Sequence, residues 1–235
     1  AFGLGAWLWL RHPETLPAEK RIPFQYRRLK TNTLAVLRRK DVTPIVIATG
    51  FVFGAQLTYF AVAADLFGTV YGLPASMPLF FALLATGTGT ALLLNVRFVR
   101  RTGMEAPIVA GLGFLGLSGA ALLGAAALTG GHPPFALLLG LAWFGFFALG
   151  LLFGNLNAFA MRPLGDLAGL SSSIIASLSS VVAFVFATAI ERAAEAPVYA
   201  IAFAFLCAAL LSVLLILIAV PKGSIGRFLS ARTER

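Results

Sequence analysis

A few polar side chains interrupt the long apolar stretches of this 235-residue chain, and their chemistry needs an explanation. Gln56 and Tyr59 place an amide and a phenol on one helical stripe, Asn155 adds a second amide, and Trp143 and Phe147 lie one helical turn apart. Amide and phenol groups can bind a polar ring while aromatic side chains cover its faces, so these five residues are predicted to line a cavity. The same groups could instead hydrogen-bond to neighbouring helices.

The patterns of catalytic and nucleotide-binding sites are missing from the sequence. It has no GxxxxGK[ST] phosphate loop and no HExxH motif, and its two histidines, His12 and His132, fall in different polar gaps. Residues 111–116 match GxGxxG literally, but they lie inside an apolar stretch with no preceding strand. Cys207 is the single cysteine and excludes a disulfide framework. We therefore expect no enzyme activity, no cofactor and no metal.

Six apolar stretches must position these residues. Each has about the ~20 residues that a helix rising ~1.5 Å per residue needs to cross ~30 Å of hydrocarbon. With 59% hydrophobic and 11% charged residues, the chain would expose large apolar patches in water. The sequence predicts an all-α polytopic membrane protein with a six-helix transmembrane bundle over residues 44–220. The stretches are residues 44–64, 78–96, 107–128, 135–159, 168–190 and 198–220.

Lysine and arginine mark one side of this bundle. Of the 18 basic residues, all except Arg192 fall into alternate gaps between the stretches or into the flanking segments. Because short cytoplasmic loops retain lysine and arginine, the connector at residues 11–43 and the tail at 221–235 are predicted to be cytoplasmic. The net charge of +9 then orients the chain in the lipid bilayer, and we expect no binding to nucleic acid.

The segment before the first full stretch has two parts. Residues 1–10 are apolar but only half as long as a span, so they are predicted to be the end of a truncated transmembrane helix. In the basic connector, Phe24, Leu29, Leu34 and Leu37 recur at roughly helical spacing among basic residues. This pattern predicts an amphipathic helix on the cytoplasmic membrane surface, or alternatively a solvated connector with residual helicity.

Three segments carry a family resemblance: PETLPAEKR within residues 12–21, LNVRFVRRTG at 94–103 and GNLNAFAMRPLGDLAG at 154–169. They resemble the bicyclomycin/chloramphenicol-resistance (Bcr/CflA-type) multidrug exporters of the major facilitator superfamily. The resemblance implies the C-terminal half of a twelve-helix transporter in a bacterial-type inner membrane. Its substrates would be small amphipathic drugs exchanged for protons, and its partner would be the N-terminal half of the same transporter.

Charged residues near the span ends suggest two further roles. The resemblance implies that Arg97, Arg100 and Arg101 form a cytoplasmic latch, although retention on that side would also explain them. Asp65 is predicted to be either an outer gate that attracts cations or a solvated carboxylate. No carboxylate lies at the centre of a span, so the resemblance implies a proton-coupling residue in the N-terminal half. An uptake permease of the same superfamily and a non-transporting membrane scaffold remain alternatives.

Overall fold

The computed structural model describes residues 2–11 and 26–220, which contain helices and no strand. The predictions for residues 12–25, including PETLPAEKR, and for the tail at 221–235 lie outside the described residues. The helices are α1 (Phe2–Arg11), α2 (Tyr26–Leu37), α3 (Thr43–Asp65), α4 (Met77–Thr102), α5 (Glu105–Leu128), α6 (Phe135–Met161), α7 (Ala168–Ala193) and α8 (Pro197–Ala219).

Helices α3 to α8 confirm the predicted class. Each is long and apolar enough to cross a membrane, and their connections are short enough that successive helices run in opposite directions. Prolines stand in the first turn of α3, α4 and α8, where the missing N–H would have no helical partner. The prediction of an all-α polytopic bundle with six transmembrane helices is therefore correct.

Helix α4 extends beyond its apolar stretch. The last turn contains Arg100 and Arg101, whose positive charges are favourable at a helix C-terminus. The helix ends at Gly103, where a φ of 78° is in the left-handed region that glycine adopts without a steric penalty. The arginines therefore lie at the end of a continuous helix, just beyond the apolar stretch at residues 78–96.

The six helices pack as two related groups of three, α3 to α5 and α6 to α8. Helix α3 packs mainly on α7 and α8, α6 packs mainly on α4 and α5, and α5 packs on α8. Ser118 of α5 donates to the carbonyl oxygen of Leu141 in α6 at 2.6 Å, and Ser212 of α8 donates to that of Ala48 in α3 at 3.3 Å. Since each group has three spans, the second begins on the opposite side of the membrane, as in an inverted repeat.

The α5–α8 contact depends on a close approach of two backbones. A Cβ atom added at Gly119 would lie 2.5 Å from the backbone nitrogen of Leu206, well inside van der Waals contact. Small residues at such positions allow membrane helices to approach each other closely. Sequence position alone does not identify this contact, because a Cβ at Gly113 in the same helix would meet nothing within 4 Å.

Burial differs strongly between the helices. Within the most apolar part of each span, 61% of α3 is buried but only 17% of α4. Helix α3 is thus the centre of the bundle, whereas α4 and α7 leave wide faces uncovered by this chain. The exposed apolar side chains on these faces include Leu79, Leu92 and Leu93 of α4 and Val181, Phe184 and Val185 of α7.

Residues 1–35 and the residues from 36 onward form two compact units. Helix α2 covers part of the region for which an amphipathic helix was predicted, and its place on a membrane surface stays a prediction. Val36 and Val42 belong to the second unit and are buried in its core. Thr43 donates to the carbonyl oxygen of Val36 at 3.1 Å, which fixes the turn that leads into α3. The C-terminal end of the connector is therefore an integral part of the bundle.

Candidate functional site

One face of the central helix α3 remains open. The face is lined by residues that recur every three or four positions, so they share one side of the helix. The other faces of α3 are covered by α6, α7 and α8. We call this surface the open face of α3. Its half-buried or exposed residues are Phe53, Gln56, Leu57, Phe60, Ala61 and Ala64.

Gln56 is the polar residue of the open face. Its side chain is half-buried, and its amide makes no hydrogen bond within the described part of the chain. Phe53 and Phe60 are its neighbours on the face, one turn away in each direction, and Phe53 contacts Phe153 of α6 with ring centroids 5.7 Å apart. An amide that is free to bond and flanked by aromatic rings can bind a polar group on a flat molecule.

Tyr59 lies on a different side of α3 from the open face. Its side chain is 1% exposed, and its hydroxyl has no hydrogen-bond partner in the described structure. Its ring packs against Phe146 of α6 at 4.9 Å and Phe81 of α4 at 5.5 Å between centroids. The stripe predicted to contain Gln56 and Tyr59 is therefore mostly buried, and only Gln56 reaches the edge of the open face.

Trp143 and Phe147 contact each other, but they do not contact Gln56. Their rings stack with centroids 5.9 Å apart. The indole N–H of Trp143 donates to Thr86 Oγ1 of α4 at 3.0 Å, and Phe147 contacts Phe114 of α5 at 5.9 Å. The pair thus lies between α4, α5 and α6. Its part in a cavity stays a prediction, and these contacts do not support it.

Asn155 has a role in joining helices. It is 3% exposed, and its Nδ2 donates to Asn95 Oδ1 of α4 at 2.7 Å and to the carbonyl oxygen of Leu151 at 2.6 Å. Its amide nitrogen is thereby fully engaged within the bundle. The structure thus favours the alternative given above for Asn155, a hydrogen bond to a neighbouring helix. The place of Asn155 in a cavity stays a prediction.

The three arginines lie at the end of α4, on the side of the bundle where α3 begins, which we call the connector side. All three are exposed, and none forms an ion pair within the described part of the chain. Arg97 and Arg100 line a shallow apolar groove along α4, and Arg101 does not. Nearby helix ends are joined instead by Arg162 and Glu105, whose charged groups approach to 3.1 Å.

Asp65 lies at the opposite, distal side of the bundle. It is exposed and shares a cavity of about 190 Å³ with Glu191 and Glu195 from the end of α7 and the turn that follows. Three carboxylates at one rim create a negative potential that attracts cations. The sequence suggested Asp65 alone, because Glu191 and Glu195 lie far from it along the chain.

Several contacts of the site are absent from the sequence prediction. Phe81 and Phe146 surround Tyr59, Phe153 contacts Phe53, and Arg39 donates to the carbonyl oxygen of Pro163 at 3.2 Å. Phe53 could have been found, because it lies one turn before Gln56 on the same helix. The other partners come from distant parts of the chain, and no spacing in the sequence connects them.

Comparison with known proteins gives two matches. The family model described as Major Facilitator Superfamily matches residues 1–188. A protein of Haemophilus influenzae named "Bicyclomycin resistance protein homolog" is 29% identical over 170 residues. That match covers 71% of this chain and 41% of the relative, so the matched region spans less than half of the relative's length. No solved structure matches the chain.

Proposed function

Because the chain belongs to the major facilitator superfamily, we propose that it is the C-terminal half of a secondary active transporter that exports small amphipathic compounds in exchange for protons. The name of its Haemophilus influenzae relative supports a link to drug resistance. The match to 41% of that relative supports an N-terminal half as the missing partner. We call the two halves together the complete transporter.

The open face of α3 is the observation that carries this proposal. It presents the unbonded amide of Gln56 between Phe53 and Phe60, part-way along the most buried helix of the bundle. In transporters built from repeats, substrates bind near the membrane midplane where the repeats or halves meet. We place the substrate against this face, with the N-terminal half forming the opposite wall.

Alternating access follows from rocking of the two halves about this site. The wide uncovered faces of α4 and α7 are surfaces on which the N-terminal half would pack and slide. Both termini of the chain would then lie in the cytoplasm, and the connector side would face the cytoplasm of a bacterial-type inner membrane.

The charged ends of the helices would control access to the site. Arg97, Arg100 and Arg101 are exposed and without ion pairs in the described structure, so they are available to carbonyl or carboxylate groups of the N-terminal half when the cytoplasmic side closes. Asp65, with Glu191 and Glu195, would concentrate cations and protons at the external mouth. The proton-coupling carboxylate would belong to the N-terminal half. Asp65 and Glu105 lie at helix ends, so neither stands in the middle of a span where substrate and proton would meet.

The proposal is tested by measuring export from cells that produce the complete transporter. We expect chloramphenicol and ethidium to leave these cells faster than cells with an empty vector, and a protonophore to abolish the difference. The chain produced alone is the matched control, and it should not export, because it lacks half of the cavity wall.

The direction of flux separates export from the main alternative. In everted vesicles an exporter accumulates the probe when a proton gradient is imposed, whereas an uptake permease depletes it. If the well-produced complete transporter moved neither probe in either direction, the multidrug proposal would be wrong, and a permease of narrow specificity or a membrane scaffold would replace it.

A further inference from the structure

The hydroxyl of Tyr59 is a buried hydrogen-bond donor without a partner. Within the described residues, the only other buried side-chain oxygen in this condition is Oγ of Ser171. Folded proteins retain few such groups, because a buried donor that lost its bond to water and gained no other is destabilising. A phenylalanine would fill the same space without this penalty. The presence of the hydroxyl therefore needs an explanation beyond packing.

Three phenylalanine rings enclose the Tyr59 side chain. Phe146 and Phe81 contact it from α6 and α4, and Phe60 contacts it from the next position of α3, with centroids 5.8 Å apart. Phe60 and Phe81 also stack on each other at 5.7 Å with an interplanar angle of 23°. These rings offer the buried hydroxyl no strong acceptor.

Phe60 links the Tyr59 enclosure to the open face of α3. Its side chain is 43% exposed and lies one turn from Gln56 on that face. Because its ring packs against the rings of Tyr59, Phe81 and Phe146, an aromatic ligand in its place could make equivalent contacts. Displacement of Phe60 by such a ring would give the ligand access to the Tyr59 hydroxyl.

We propose that Tyr59 is the hydrogen-bond donor of a substrate subsite that Phe60 covers when no substrate is bound. The inference rests on the proposed transport function and names the ligand class of the same site. The ligand is a flat apolar or aromatic compound that carries a neutral acceptor, such as a carbonyl or nitro oxygen. Its ring stacks on Phe81 in place of Phe60, and its acceptor receives the Tyr59 O–H.

The test compares Tyr59→Phe with the unchanged protein in the complete transporter, using two probes. Chloramphenicol carries an amide carbonyl and a nitro group, whereas ethidium is a flat cation without either. Loss of one hydrogen bond should lower chloramphenicol efflux at sub-saturating concentration about 3- to 10-fold and leave ethidium efflux unchanged. The unfolding midpoint without substrate should stay the same or rise, because the unpaired donor is gone.

Tyr71→Phe is the matched control, since the Tyr71 hydroxyl already donates to the carbonyl oxygen of Pro133 at 2.7 Å. This variant should lower the unfolding midpoint and keep the ratio of the two efflux rates. An unchanged ratio in Tyr59→Phe, or an equal loss for both probes, would overturn the inference and leave the proposed function intact. Absence of efflux of both probes from the unchanged protein would overturn both.

Discussion

The side-chain amide of Asn155 in α6 donates to Oδ1 of Asn95 in α4 at 2.7 Å and so joins the two helices. Helix α4 has the smallest buried share of the six spans, and within the described residues it packs mainly on α6. Thr88 of α4 adds a second link by donating to the carbonyl oxygen of Phe146 at 3.1 Å. Polar bonds of this kind hold α4 on α6 while its other face stays uncovered by the described residues.

We expect Asn155→Leu to destabilise the complete transporter by about 1–2 kcal/mol, because the Asn95 amide loses its partner. The double variant Asn95→Leu/Asn155→Leu should recover part of this loss, with a coupling energy of about 0.6 kcal/mol, as is typical between membrane helices. Unfolding of the purified protein measures both values. Asn157→Leu is the control, because Asn157 bonds only to the carbonyl oxygen of Phe153 in its own helix. Equal effects of Asn155→Leu and Asn157→Leu would contradict the assigned role.

Gly119→Ala should separate α5 from α8. The added methyl group would lie 2.5 Å from the Leu206 backbone nitrogen, which cannot move aside like a side chain, so we expect a loss of about 1–3 kcal/mol of stability. Gly113→Ala is the matched control in the same helix and should have little effect or a slight benefit, since its Cβ meets nothing within 4 Å. The comparison uses thermal unfolding of both variants in the same detergent. If Gly119→Ala were as stable as Gly113→Ala, the backbones of α5 and α8 would have to be further apart at Gly119 than the structure places them.

The Gln56 amide should contribute to transport, and Trp143 should contribute to packing. Gln56→Ala is expected to lower efflux of a polar aromatic probe about 2- to 10-fold at equal protein level, because it removes an accessible donor and acceptor. Trp143→Phe removes the bond to Thr86 but leaves Thr86 donating to the carbonyl oxygen of Leu83, so it should change stability slightly and efflux little. If Trp143→Phe reduced efflux as much as Gln56→Ala, the result would support the sequence prediction that Trp143 lines the same cavity as Gln56.

The connector should show an acid-sensitive contact. The hydrogen bond from Arg39 lowers the pKa of Asp41, so the folded state favours the charged carboxylate. Its contribution to stability is fully present above the ordinary aspartate pKa of about 3.9 and is lost as the pH falls through the lower pKa of the folded state. Asp41→Asn should therefore be slightly less stable than the unchanged protein at neutral pH and match it in strong acid. A difference that did not depend on pH would contradict this coupling.

The physical demands of the membrane made much of the architecture predictable from the sequence. About 20 consecutive apolar residues are needed to cross the hydrocarbon, so the six apolar stretches predicted α3 to α8 and the all-α class correctly. Motifs in the connector, in the α4 end and in the α6–α7 region indicated the family that the comparison shows. These signals are local, and each can be found without knowing how the helices pack.

Which side chains meet was decided only by the tertiary structure. The stripe containing Gln56 and Tyr59 is regular in the sequence, yet α6 and α4 cover Tyr59 and leave Gln56 at the edge of the open face. Trp143 likewise faces α4, where its indole N–H bonds to Thr86, and it does not lie on the open face of α3. The rotation and register of one helix against another are set by close approaches such as that of Gly119 to Leu206. Hydropathy gives little guidance to this rotation, because it is nearly uniform around α3, α5, α6 and α8. The sequence by itself determined how many helices cross the membrane, and the packed bundle determined which of their faces stay open to a ligand.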